Sequence, residues 1–136
     1  MHSFDAWFAT VNQAASFFGN ESIKEKDFRA SYGESTEEDV RKFFPNQTVK
    51  SVDDFYENHF ISNIKHLKVA PDAVNVFQKL KDIGLFTVIV TNTSHDLALD
   101  ILNIANVIHL PDLVMHKSVN LVSTSLPSNL YFSILN

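Results

Sequence analysis

The sequence predicts an α/β protein in which a helical module precedes a helix–strand–helix–strand unit built on parallel strands. Three observations predict it. Leu85-Phe-Thr-Val-Ile-Val90 is apolar or β-branched throughout and carries no charge, the pattern of a strand covered on both faces. The segments before it carry apolar residues at helical spacing, separated by Gly, Pro and Ser/Thr signals. After it, a helical stretch and Pro111 lead into a second apolar run, Asp112 to Met115, and strands joined through a helix run parallel.

Ser3 stands as an N-cap before Phe4, Trp7, Phe8, Val11, Ala14, Ala15 and Phe18, which recur at helical spacing until Gly19 supplies a stop. A shorter polar helix is predicted over Lys24 to Ala30, followed by a turn at Ser31-Tyr-Gly33 in which Gly33 permits positive φ. Ser35 and Glu38 have capping-box spacing ahead of a helix through Val40 and Phe43 that breaks at Pro45. A fourth helix is predicted from Ser51, with Ser51 and Asp54 as a further capping box and a mixed face running from Val52 and Phe55 to Asn63 and Leu67. Pro71 and Asp72 open the next helix, whose stripe is Ala73, Val76, Phe77, Leu80 and Ile83, with Gly84 as its end. The core strand follows, then a helix from Asp96 to Ile104 facing inward through Leu97, Ile101, Leu102 and Ala105. From Lys117 the periodicity is lost among serines, with short strands considered at Leu121-Val122 and Leu130 to Leu135.

The chain has 136 residues, 45% hydrophobic with 12 Phe, enough for one domain or a small core with an appended module. A net charge of −5 and the lack of any basic run argue against nucleic acid or an anionic membrane as a partner. No segment reaches the ~20 apolar residues of a membrane helix. Zero cysteines exclude disulfides and thiol chemistry, and a cytoplasmic location is the expectation. His59 and His66, like His109 and His116, are seven apart, which is the wrong spacing for a helical metal pair, so no metal ligands are assigned. Asp53-Asp54 and Glu37-Glu38-Asp39 are read as first-turn acids favoured by the helix dipole.

Thr91, Asn92, Thr93 and Ser94 end the core strand with four hydrogen-bonding side chains just ahead of a helix start near His95. This places polar groups and free backbone N–H groups together at the carboxyl end of a strand, where ligands of open α/β sheets sit. Simple capping of the next helix accounts for the same four residues.

Val88-Ile-Val-Thr-Asn92, preceded by a helix ending at Gly84, resembles the second motif of the haloacid dehalogenase-like hydrolases, a hydrophobic strand ending in Thr or Ser and commonly followed by Asn. A helical segment, then a helix begun by Pro-Asp, then this strand is similar to the capped phosphatases of the phosphoglycolate-phosphatase type, over residues 3 to 115. The resemblance implies an incomplete Rossmann-type core with an N-terminal helical cap. Residues 3–68 would be cap-like, 69–116 a partial core, and 117–136 an unassigned tail. It implies phosphomonoester hydrolysis in the complete parent, through an Asp nucleophile and a second Asp in a first-strand Asp-x-Asp-Gly-Thr motif, with Mg2+ neutralising charge.

This chain has no Asp-x-Asp, and no acidic residue follows Asp112, so the first and last motifs are missing. No catalytic residue is assigned; Asp5 is read as a first-turn helix residue and Lys117 as a surface lysine. Thr91 and Asn92 carry over as phosphate-holding residues, and Arg29 and Gly33 resemble the cap's specificity loop, where a plain helix end and turn is the alternative. The expectation is an inert or nearly inert chain, binding a small phosphorylated metabolite only if the site is completed. The competing readings are a non-catalytic module with self-association or a protein partner, and a truncated gene product. In the resembled family the missing first strand lies beside the core strand, so that edge must be filled by the tail from Lys117, filled by another chain, or left unpaired at a cost in stability.

Overall fold

The computed structural model describes residues 1–116 and 130–135, which form two compact units, His2–Lys68 and Val69–Leu135, with Met1 belonging to the second. The first is helical: α1 (Phe4–Phe17), α2 (Glu25–Ser31), α3 (Thr36–Phe43), α4 (Val49–His59) and a 3₁₀ helix (Phe60–His66). Its two ends meet in an antiparallel bridge between His2 and Lys68.

The aromatic periodicity of α1 becomes the core of this unit. Val11, Ala14 and Ala15 pack with Phe28, Phe44, Val52, Phe55 and Tyr56, all buried. Trp7 lies against Phe60 with ring centroids 4.4 Å apart and meets Tyr56 edge-on at 5.5 Å, geometries that add to plain area burial. Asn63 of the mixed face is buried with its polar atoms satisfied: Asn63 Nδ2 donates to Thr10 Oγ1 at 3.1 Å and Gln13 Oε1 at 2.9 Å, and Thr10 Oγ1 donates to the Ala6 carbonyl.

Several caps differ from the expectation. Ser3 makes no capping bond; its hydroxyl pairs with Tyr32 Oη at 2.7 Å. The Ser35–Glu38 capping box does not form, because Glu38 turns to Arg41 and Ser35 bonds Glu37 instead. Helix α4 begins two residues before Ser51, since Thr48 and Ser51 make the reciprocal capping box that Ser51 and Asp54 do not. Asp53 and Asp54 therefore fall beyond the first turn of α4, where Asp53 accepts a 2.6 Å bond from Thr36 and Asp54 pairs with Lys50. The mixed face breaks into the 3₁₀ helix after His59.

The second unit runs α5 (Ala73–Asp82), β1 (Phe86–Thr91), α6 (His95–Ile104), β2 (Leu113–His116) and β3 (Leu130–Leu135). Gly84, at φ +75°, closes α5: its N–H bonds the Lys81 carbonyl while Leu85 N–H reaches the Leu80 carbonyl. The three strands form a parallel sheet in the order β2-β1-β3, with Val88 beside Leu113 on one side and Phe132 on the other. The chain is thus α/β with an incomplete Rossmann-like core. Of the three fates considered for the free edge of β1, the tail fills it: all six residues of β1 pair with β3. Lys117 and the Leu121-Val122 strand lie outside the described residues.

Helix α6 buries Leu97, Ala98, Ile101 and Leu102 as its spacing demands, with Ala105 only half-buried. Helix α5 is the exception. None of its stripe is buried; Phe77 packs against the cluster of Ile89, Leu102, Val107 and Leu110, while Val76 is 51% and Ile83 70% exposed. Asp112 ties the start of β1 to β2, its Oδ2 accepting the Thr87 N–H and hydroxyl, both at 2.8 Å.

Candidate functional site at the β1–α6 turn

Thr91 is the last residue of the central strand, paired with His116 of β2 and Leu135 of β3, so the turn after it leaves from the middle of the sheet. The Thr91 side chain is buried, and its Oγ1 accepts the Thr93 N–H at 3.1 Å. That bond turns the chain within two residues and leaves the hydroxyl hydrogen to donate elsewhere. Half-buried Asn92 and Thr93 follow, and Ser94 takes the N-cap position of α6 with extended ψ.

Ser94 does not cap. Its hydroxyl makes no bond to the first turn of α6, and Ser94 Oγ is buried without a hydrogen-bond partner among the described residues. The plain capping account of these four residues therefore fails at the position where a cap belongs. A desolvated hydroxyl, a second hydroxyl three residues away at Thr91, and the first N–H groups of a ten-residue helix lie at one end of the sheet. Sequence reading grouped Ser94 with the cap; its lack of a partner is a packing property that no local spacing signals.

Arg29 and Gly33 lie in the helical unit. Arg29 Nη2 contacts Glu25 Oε1 at 2.5 Å, and the guanidinium sits 4.2 Å over the Phe4 ring, largely exposed. Gly33 holds φ +90° in the turn after α2, a conformation costly for a residue with a side chain. Thr91 and Asn92 are neighbours in one turn of the α/β unit; Arg29 and Gly33 form a separate pair in the helical unit.

Glu37, Glu38 and Asp39 stand in the first turn of α3, as expected. Asp39, in the first turn of α3, is packed against α4, where Tyr56 Oη donates to its Oδ2 at 2.9 Å. Burial raises the Asp39 carboxyl from the ordinary 3.8 to about 6, a shift that the Tyr56 bond and Lys42 oppose and that Glu34 and Asp53 assist. Tyr56 is itself pushed up, first by burial and then by the Asp39 charge. Asp112 is held low by its bonds to Thr87. Asp5 stands in the first turn of α1 beside Lys68, as a dipole-favoured acid should. His59 stacks on Phe55 at 3.9 Å and its Nδ1 contacts the Phe55 carbonyl.

Magnesium binding requires several oxygen ligands, mostly carboxylate. Among the described residues no three His, Asp or Glu side chains come together as a metal site, and β3 (Leu-Tyr-Phe-Ser-Ile-Leu) carries no acid. The residues described do not fit the Mg2+ that this type of fold generally uses. No helix among them is long and apolar enough to cross a membrane.

The strand–turn–helix at Val88 to Ser94, with parallel strands on both sides, is the setting expected of the second motif of the resembled hydrolases. No curated protein and no solved structure matches the chain. A family model described as haloacid dehalogenase-like hydrolase matches residues 1–120, and the chain belongs to that family.

Proposed function

We propose that this chain is a phosphoglycolate-phosphatase-type scaffold that holds a phosphate group at the β1–α6 turn and does not hydrolyse phosphomonoesters. The observation that carries the reading is the identity of the strand beside β1. In the family, the nucleophile strand lies there; here Leu130–Leu135 pairs along all of β1 and brings no carboxylate to the place from which phosphorus would be attacked. Holding without a nucleophile gives binding, not turnover.

Each residue has a defined role in the holding. Thr91 donates its hydroxyl hydrogen to a phosphate oxygen while its own oxygen stays engaged by Thr93. Ser94 supplies the hydroxyl that lacks a partner, and burial strengthens its bond to an anionic acceptor. Asn92 and the first N–H groups of α6 complete the seat. Arg29 and Gly33 are assigned to the cap's specificity loop, the partner is a small phosphorylated metabolite, and the location is the cytoplasm.

The test is titration of the whole chain with inorganic phosphate, followed by amide NMR, beside a turnover assay with p-nitrophenyl phosphate and Mg2+. Phosphate should shift the amides of 91–97 with a dissociation constant on the order of millimolar, weakened roughly tenfold (about 1.4 kcal/mol) in Thr91→Val. No turnover is expected. Robust hydrolysis would overturn the inertness, and binding unaffected by Thr91→Val and Ser94→Ala would overturn the site.

A second reading, a protein-interaction module, is favoured by Phe17, which is 70% exposed at the end of α1 beside Phe18 and Phe55. A concentration-dependent dimer abolished by Phe17→Ser would support it.

A further inference from the structure

Beneath the under-packed helix α5 lies an apolar cavity of about 220 Å³, wholly within the second unit. Its floor is Ile89 of β1 and Leu102 of α6, both buried; its roof is Ala73, Val76 and Phe77 of α5. Among the described residues, Asp72 is the only lining side chain that can carry charge. That carboxylate is exposed, makes no cap to α5, and has no ion pair among the described residues.

We propose that this cavity is a binding site for a primary arylalkylamine of phenethylamine size, its ring against Ile89 and Leu102 and its ammonium on the Asp72 carboxylate. Volume sets the body: an apolar cavity of about 150 Å³ takes a benzene ring, so a space half again as large takes a ring with a two-carbon arm. Lining sets the chemistry. The apolar wall offers no hydrogen-bonding side chain to a polar body, and an anionic ligand would set its charge against Asp72. The same charge separates this site from the anion seat at Thr91, which demands the opposite ligand. Filling the space also accounts for α5, whose apolar stripe meets no neighbour among the described residues that covers Val76.

Titration of the intact chain with phenethylamine, phenylacetate and ethylbenzene, read by amide NMR at Ile89, Leu102 and α5, tests this. Phenethylamine should bind with a dissociation constant on the order of a millimolar, at least threefold tighter than phenylacetate. Asp72→Asn should weaken it roughly two- to fivefold, the range of a solvent-exposed ion pair. Val76→Trp, a substitution at a half-exposed site that fills the space from the roof, should abolish binding while the circular-dichroism spectrum stays unchanged. Ala73→Phe serves the same purpose should the Trp variant lose its helical signal. Equal or tighter binding of phenylacetate, binding that survives both filling variants, or no binding of phenethylamine at ten millimolar would each overturn the proposal.

Discussion

Asp39 shows how packing changes what a residue does. Its position after Ser35 reads as a first-turn helix acid, yet burial raises its carboxyl to about 6, against the opposing pull of the bond that Tyr56, seventeen residues later, donates to it. Since the folded value lies above the ordinary 3.8, the folded chain binds the proton more tightly, and stability should rise as pH falls from 6 toward 4. The gain is on the order of 1–2 kcal/mol, reduced from the full shift because the group is only half-buried. Glu37, Glu38 and Asp112, all held low, work against it only below their ordinary range. Urea unfolding at a series of pH values should show this slope in wild type and not in Asp39→Asn. A flat wild-type profile between pH 4 and 6 would show that burial does not raise the acid. The turn at Thr91 and Asn92 was legible from the sequence, because a strand end followed by a helix start is a local pattern. Ser94 was not, since an orphaned hydroxyl depends on what the surrounding chain fails to offer.

Helix starts separate capping residues that look alike in sequence. Thr48 closes a true box with Ser51, whereas the Ser35 side chain makes no bond to the backbone of α3. Thr48→Ala should cost about 1 kcal/mol in urea unfolding and Ser35→Ala only a few tenths. Gly84→Ala, at φ +75° with open space around it, should cost about 1 kcal/mol through backbone strain alone. The helices were legible element by element because their apolar periodicity is strong. What could not be read was which of several Ser and Thr residues acts as the cap, and that α5 would leave its stripe half open. Both depend on tertiary neighbours: Tyr32 draws Ser3 away from α1, and Arg41 draws Glu38 away from α3.

The order helix, strand, helix, strand predicted a parallel βαβ unit, and the sheet has that form, with a third strand drawn from a stretch without clear periodicity. Leu130–Leu135 is apolar enough for a strand, but nothing local says that it pairs with β1 rather than β2. A chain ending at residue 116 should lose hydrogen-exchange protection at the amides of Phe86–Thr91 and associate through the bared edge of β1. Its helical unit, whose core is its own, should keep its helical circular-dichroism signal. Retained protection in β1 would mean that β3 is dispensable.

The pairing of Phe86 with Leu130 spans 44 residues of chain. During synthesis, the helical unit is complete before the strands begin, but β1 emerges ahead of both its neighbours and waits longest for β3. At about 5–20 residues per second, that interval is roughly 2–9 s, long compared with the microseconds in which helices and hairpins form. For those seconds the six residues of β1, four of them apolar, are a client for chaperones, and any slowing of translation between codons 92 and 130 lengthens their exposure.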